Sequence, residues 1–344
     1  MATEPSVAGP TTEEPTAEEP LVDGFGRVHR DLRISVTDRC DLRCDYCMPA
    51  EGLEWLDRSE ILSFEEIERI ATLCVRRLGV ESIRLTGGEP TVRAGLVDLV
   101  ARLAPLEVDL SLTTNGVRLR QLAAPLVSAG LRRINVSLDT LRRDRFERIT
   151  RRDRLDDVLA GIEAAVESGL DPVKVNCVVV RGVNDDEVVD LARFGRDSGV
   201  TMRFIEYMPL DAQGRWDRPA VVGQDEIIAA ISAVFPLEDE VRGRQPASRF
   251  RYLDGCGEVG VIPSVTEPFC GDCDRIRLTA DGELRSCLFS TTGTDLRGVL
   301  RDPSADDDRL DALVRQVVAG KWAGHGISSV DFVRPRRSMS QIGG

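Results

Sequence analysis

The sequence predicts an α/β fold of parallel strands covered by helices, and three observations carry that prediction. Strand-like and helix-like runs alternate six times from residue 32 onward. The connections between them are short. Five distinctive motifs, at residues 37–47, 86–90, 113–116, 137–139 and 206–209, directly follow strands, which gathers them at the carboxyl edge of one sheet, where α/β folds place their sites. By itself the alternation admits a complete barrel, a partial barrel or an open doubly wound sheet.

In chain order the strand candidates are LRISV (32–36), SIRLT (82–86), VDLSLT (108–113), RINVSL (133–138), VKVNCVVV (173–180) and TMRFIEY (201–207). The clearest helix runs over 63–78. Ser63 and Glu66 form a capping box, Ile67, Ile70, Ala71, Cys74 and Leu78 make an apolar stripe, and Gly79 supplies the stop. After about Phe235 the repeat ceases. A region richer in Gly, Pro and Cys follows, with strand-like pieces around 249–253, 258–262 and 275–279, and is expected to form a second module packed on the first. Residues 1–20 are a Pro, Thr, Ala and Glu mixture that cannot bury enough apolar surface to order itself. The chain therefore divides at 1–20, 21–236 and 237–344.

Hydrophobic residues make up 42% of the chain and charged residues 30%, which excludes collagen-like, disordered and disulfide-scaffold classes. No membrane span and no signal peptide is visible, so the expected location is the cytoplasm. The net charge is −13. Five glutamates of the first 20 residues, which hold no Lys or Arg, leave −8 on the remainder. That balance argues against nucleic acid as a partner, yet a small anion needs only a few local cations. Lys174 and Lys321 are the only lysines beside 43 arginines. A lysine that persists in such a background marks a position where a compact ammonium does what a planar guanidinium cannot.

Nine cysteines in a chain of this class point to metal binding or catalysis rather than disulfides. Cys40, Cys44 and Cys47 form one triplet, and Cys270, Cys273 and Cys287 another. A structural zinc site usually closes with four ligands. Three thiolates on a [4Fe-4S] cube leave one iron open to a substrate or cofactor. A zinc site completed by Asp or His is the alternative on spacing alone. Cys74 and Cys177 lie in apolar runs and read as core, whereas Cys256 sits between glycines without an assignment. Tyr46 puts a ring beside the first triplet, which suits stacking on a nucleobase.

Cys40-x3-Cys44-x2-Cys47 with Tyr46 after the first strand, and Gly87-Gly88-Glu89-Pro90 after the second, resemble the radical S-adenosylmethionine superfamily. The resemblance implies that the open iron holds the amino and carboxylate groups of S-adenosylmethionine and that the glycine turn touches its methionine part. A narrower resemblance runs from about residue 24 to the end. Thr37-Asp38-Arg39-Cys40, TGGEP, TTNG, INVSLD, VKVN, EYMP, Cys270-x2-Cys273-Asp274-Arg275-Ile276-Arg277, Cys287 and the terminal Ile342-Gly343-Gly344 are similar to the GTP 3′,8-cyclase family.

That likeness implies a partial (β/α)6 TIM-type barrel with a C-terminal extension carrying a second [4Fe-4S] cluster, which contacts the guanine of GTP. It assigns GTP contacts to Arg33, Arg84, Thr113, Lys174, Arg275 and Arg277, and S-adenosylmethionine contacts to Tyr46, Gly88, Ser137 and Met208. Arg275, Arg277, Gly343 and Gly344 become catalytic, the side-chain-free end threading into the barrel. The implied reaction removes the 3′ hydrogen of GTP and joins C3′ to C8, as the first step of molybdenum cofactor biosynthesis. The implied partners are a reducing electron donor and a cyclic pyranopterin monophosphate synthase that receives the product, with a homodimer admitted and no membrane. Two other readings compete. A peptide-modifying radical enzyme would be expected to carry more auxiliary cysteines or a peptide-recognition domain. A metal-bound scaffold would not need five motifs at one sheet edge. Lys321 and His325 receive no role.

Overall fold

The computed structural model describes residues 19–210, 214–243, 245–327, 329 and 332–343. Nearly all of the acidic tail, and Gly344, lie outside the described residues. Strands β1 (Asp31–Ser35), β2 (Ser82–Thr86), β3 (Asp109–Thr114), β4 (Arg133–Ser137), β5 (Val173–Val179) and β6 (Thr201–Glu206) stand side by side in chain order, each parallel to the next. Helices α1 (Phe64–Arg76), α2 (Leu96–Leu103), α3 (Leu119–Ser128), α4 (Arg143–Thr150), α5 (Leu155–Glu167), α6 (Val188–Ser198) and α7 (Gln224–Ser232) accompany them. The α1 capping box forms as expected: Glu66 N donates to Ser63 Oγ at 3.2 Å and Ser63 N to Glu66 Oε2 at 2.6 Å.

The C-terminal region enters the same sheet instead of packing on it as a separate layer. β7 (Leu237–Glu240), β8 (Ser248–Tyr252) and β9 (Glu258–Ile262) extend one edge, with β9 parallel to β6. β10 (Arg275–Leu278), β11 (Glu283–Arg285) and β12 (Thr294–Asp295) extend the other, with β10 parallel to β1. The physical reason is that an incomplete barrel has two open edges whose backbone groups need partners. The segment joining β9 to β10 must then run from one edge to the other, and it carries Cys270 and Cys273. Helices α8 (Arg297–Arg301), α9 (Asp307–Ala319) and α10 (Met339–Ile342) complete the chain.

Side chains alternate along each strand, as a pleated sheet requires. Leu32, Ile34, Ile83, Leu85, Leu112, Val136, Val175, Cys177 and Phe204 are fully buried on one face, in the main apolar cluster. Arg33, Arg84, Ser111, Asn135, Asn176 and Arg203 occupy the other. The barrel interior is thus polar, the reverse of the branched apolar filling usual in a complete barrel. The stability of the fold rests on the strand-to-helix layer.

Within that layer α5 lies against α3 and the turn before it. A methyl on Gly161 would run into the Gly116 carbonyl and stand 3.1 Å from Leu119 Cβ. Gly161→Ala should destabilise the protein by about 1–3 kcal/mol, because the backbone itself would have to move. Chemical denaturation checks this, and an unchanged midpoint would contradict the packing described.

Candidate functional site

The first cysteine triplet sits in the loop after β1, and its neighbours hold it backbone to backbone. Gly88 N donates to Thr37 O at 2.8 Å and Glu89 N to Arg39 O at 2.7 Å. A Cβ on Gly88 would collide with the Asp38 and Arg39 carbonyls. Glycine here admits the adjacent cysteine loop, a closer neighbour than the ligand its motif first suggests. Glu89 is 1% exposed and accepts from Thr114 Oγ1 at 2.7 Å, Asn115 N at 2.6 Å and Thr91 N at 3.0 Å. One carboxylate therefore ties together the ends of β2 and β3. The sequence reading named Glu89 within the Gly87–Pro90 motif but gave it no role of its own; the signal was an acidic residue between Gly and Pro at a strand end.

Burial pushes the Cys40 and Cys44 thiols up, and carboxylates (Glu89, Asp139) and the neighbouring cysteines add to the effect. Burial likewise takes Cys47 up to about 11, against opposing hydrogen bonds to Ser340. Three crowded thiols that resist ionisation suit a cationic centre, which would neutralise them. No three His, Cys, Asp or Glu side chains among the described residues converge as a single metal ion requires. A cube differs in that each thiolate binds its own iron. Tyr46 donates to Asp139 Oδ2 at 2.6 Å, and Asp139 Oδ1 accepts from Val178 N at 2.9 Å. Tyr46 and Asp139 line a cavity of about 250 Å³ with Val178, Val180 and Tyr207.

Val178 also borders a second cavity, of about 170 Å³, inside the barrel. Arg33, Arg84, Thr113, Met208, Arg275 and Arg277 line it together with Cys270, Cys273 and Cys287. In register, Arg33 stands between Arg277 and Arg84. Burial and then Arg84 drive the Arg33 guanidinium well below its usual range, and burial and then Arg33 do the same to Arg277. Arg84 is brought down to about 10, chiefly by burial. The nearest carboxylate to Arg33 is Asp31 at 3.8 Å, while Arg33 Nε has no hydrogen-bond partner. A buried cation that faces a cavity with a single carboxylate at 3.8 Å and no hydrogen bond at Nε is what an anionic ligand would satisfy. Arg203, not anticipated from the sequence, joins the same wall, with Nε donating to Asn176 Oδ1 at 2.9 Å and Nη2 to Asn135 Oδ1. Its signal was its place at an inward position of β6.

Lys174 does not border this cavity. It shares the inward face of β5 with Asn176, nearer the amino end of the strand, opposite Asn135 and Thr201. Ser137 ends β4 opposite Asn176 and borders neither cavity. Gly88 is likewise outside both. His325 borders the barrel cavity against Phe289, with Nε2 at 3.0 Å from Ser264 O. Cys74 and Cys177 are buried in the core and Cys256 is exposed.

The chain end also reaches the site. Met339 borders the cavity, Ser340 and Ile342 are buried, Ser35 Oγ donates to Ile342 O at 3.2 Å, and Arg277 Nη1 donates to Gly343 O. Gly343 has φ +90°, and a Cβ there would meet Ser35 Oγ and stand 3.1 Å from Thr86 Cγ2.

A family model described as Radical SAM superfamily matches residues 34–195, and one described as Molybdenum Cofactor Synthesis C matches residues 200–327. A crystal structure of Streptococcus suis SuiB bound to S-adenosylmethionine has a TM-score of 0.61 at 14% identity, covering 91% of this chain and 77% of that one, a likeness of fold alone. Fold and cysteine loop together define a radical S-adenosylmethionine enzyme, a family that implies S-adenosylmethionine and a [4Fe-4S] cluster, and the three crowded thiols at residues 40–47 fit such a centre. Curated proteins named GTP 3′,8-cyclase are similar at 51% identity in Streptomyces coelicolor (94% of this chain, 96% of that one) and 51% in Rhodopirellula baltica (94% and 92%). The chain belongs to the GTP 3′,8-cyclase family.

Because Gly88 has no room for a side chain, Gly88→Ala should displace the cysteine loop and weaken S-adenosylmethionine binding about tenfold or more. Equilibrium binding to the anaerobically reconstituted protein measures this, and wild-type affinity would contradict it.

Proposed function

We propose that this chain is a radical S-adenosylmethionine enzyme that converts GTP to (8S)-3′,8-cyclo-7,8-dihydroguanosine 5′-triphosphate, the first step of molybdenum cofactor biosynthesis. The name shared by relatives half identical over nearly the whole chain supports this reading. The single structural observation that carries it is the arginine-lined cavity bounded by the second cysteine triplet and adjoining the Tyr46 cavity at Val178. Cys40, Cys44 and Cys47 would hold the first cluster, which when reduced would supply the electron for cleaving S-adenosylmethionine to methionine and a 5′-deoxyadenosyl radical.

The protein's own task is holding and enclosing. In this reading Arg33, Arg84, Thr113, Lys174, Arg275 and Arg277 bind GTP, and Tyr46, Gly88, Ser137 and Met208 hold S-adenosylmethionine. Fixing both ligands in one barrel brings the reacting carbon near the radical source and keeps solvent away from it. Residues 21–236 carry the radical chemistry. Residues 237–344 close the barrel and hold a second [4Fe-4S] cluster at Cys270, Cys273 and Cys287. Support for that cluster comes from the donors. Burial raises the Cys273 thiol, but Arg275 and Lys321 outweigh it and bring the thiol down to about 6, so a thiolate ligand is available near neutral pH. In this reading the tail, its Gly343 carbonyl accepting from Arg277 Nη1, plugs the barrel and orders the substrate.

No helix of the described residues is long and apolar enough to cross a membrane. A cytoplasmic setting fits nine free cysteines, and the chemistry requires a reducing electron donor there. The product, a cyclised triphosphate, passes to a cyclic pyranopterin monophosphate synthase. A homodimer belongs to the same reading.

Anaerobically reconstituted protein should hold about eight irons per chain and turn GTP with S-adenosylmethionine into the cyclised product. Stoichiometric zinc, or 5′-deoxyadenosine without cyclised product, would overturn the proposal. In the free protein burial, then Arg203 and Arg133, lower the Lys174 ammonium to about 8. A triphosphate beside it would restore its charge. GTP binding at about pH 9 should therefore take up a proton, seen by calorimetry in buffers of different ionisation enthalpy, and Lys174→Met should abolish the uptake. Adding one alanine after Gly344, or Gly343→Ala, should stop cyclisation while both clusters assemble. Product formation at the wild-type rate would make the tail a loose end.

A further inference from the structure

Lys321 is one of two lysines in the chain, and neither the cavity lining nor the family likeness assigns it a role. It is 5% exposed. Its Nζ lies 2.8 Å from Arg275 O, 3.2 Å from Cys273 O, 3.6 Å from Cys273 Sγ and 3.4 Å from His29 Nδ1. An ammonium has three donors. The two carbonyls take two, and the third is shared between the cysteine sulfur and the imidazole. His29 is fully buried, and its Nε2 stands 3.0 Å from Asp23 Oδ2. An imidazole that accepts at Nδ1 donates at Nε2, so the carboxylate sets the tautomer.

The same Asp23 oxygen accepts from Arg27 Nε at 2.6 Å, and Arg27 Nη1 donates to Cys270 O at 2.6 Å. Asp23 Oδ1 accepts from the backbone of Phe25 at 2.8 Å and of Arg27 at 3.0 Å. One carboxylate in the turn before β1 thus reaches Cys270 through Arg27, and Cys273 through His29 and Lys321. The compactness of lysine is required at this point. An ammonium carries its three donors on one atom and can turn them to two carbonyls and a sulfur around it, whereas a guanidinium presents a rigid planar fork.

We propose that Lys321 is a positioning residue for the second cluster, its ammonium donating to the Cys273 thiolate while Asp23, through His29 and Arg27, holds both cysteines in place. The inference rests on the second-cluster reading given above. A charged donor at a ligating sulfur favours the reduced cluster, so Lys321 also raises its reduction potential.

Two lysines make the test selective. Protein grown with lysine carrying 15N at Nζ, reconstituted anaerobically and reduced, should show 15N coupling to a cluster in pulsed EPR. The coupling should survive Lys174→Met and vanish in Lys321→Met. Potentiometric titration of Lys321→Met should lower the midpoint of one cluster and leave the other alone. About eight irons per wild-type chain without lysine coupling would overturn this inference and spare the two-cluster reading. About four irons would overturn both. If Lys321→Met fails to fold, the labelled wild type and Lys174→Met decide the matter. Unchanged midpoints in a folded Lys321→Met would also overturn the proposal.

Discussion

Arg33, Arg203 and Arg277 are nearly fully buried in one barrel with little negative charge to meet them, and the rest of the structure is arranged around that excess. A buried charge costs far more than a buried apolar group unless it is paired. The cost is tolerable because the opposite face of the same strands is predominantly apolar and packs under the helices. It also makes the interior selective. A neutral or cationic occupant would leave the guanidiniums as they are, whereas an anion with several oxygens relieves many of them together.

The open edges of the barrel impose the second constraint. Chains of this kind must cover edge strands, and here the C-terminal region does so at both sides, with β9 on β6 and β10 on β1. Pairing β10 with β1 places Arg277 beside Arg33, so the strand that seals the edge also completes the cationic wall. The crossing between β9 and β10 delivers Cys270 and Cys273 to the cavity mouth. Edge protection and site construction are thus one structural event.

The turn at residues 23–29 shows how far support for such a site extends. Asp23 borders neither the barrel cavity nor the Tyr46 cavity, yet its bonds to Arg27 and His29 lead to the backbone or sulfur of two cysteines. Glu89 performs a comparable task at the other end of the barrel, joining the loops after β2 and β3. Both are buried carboxylates with several donors, the arrangement that makes a charge affordable and a loop rigid.

Much was legible from the sequence because it depends on local rules. The six parallel strands come from period-two alternation between turns, the α1 cap from Ser63 and Glu66, and the first triplet from three cysteines within eight residues of one loop. The glycines at 88 and 343 were visible as motif, but their neighbours, the Asp38 and Arg39 carbonyls and Ser35, were not. Arg203, Asp23 and the partners of Lys321 escaped notice, and Glu89 was visible only as part of a motif, since an arginine or carboxylate reads alike at a surface and in a cavity. Their roles turn on contacts between residues as far apart as His29 and Lys321, 292 positions along the chain. Spacing determines which side chains share a loop or a strand face. Only tertiary structure decides which faces meet, because burial and the pairing of charge are properties of the assembled neighbourhood.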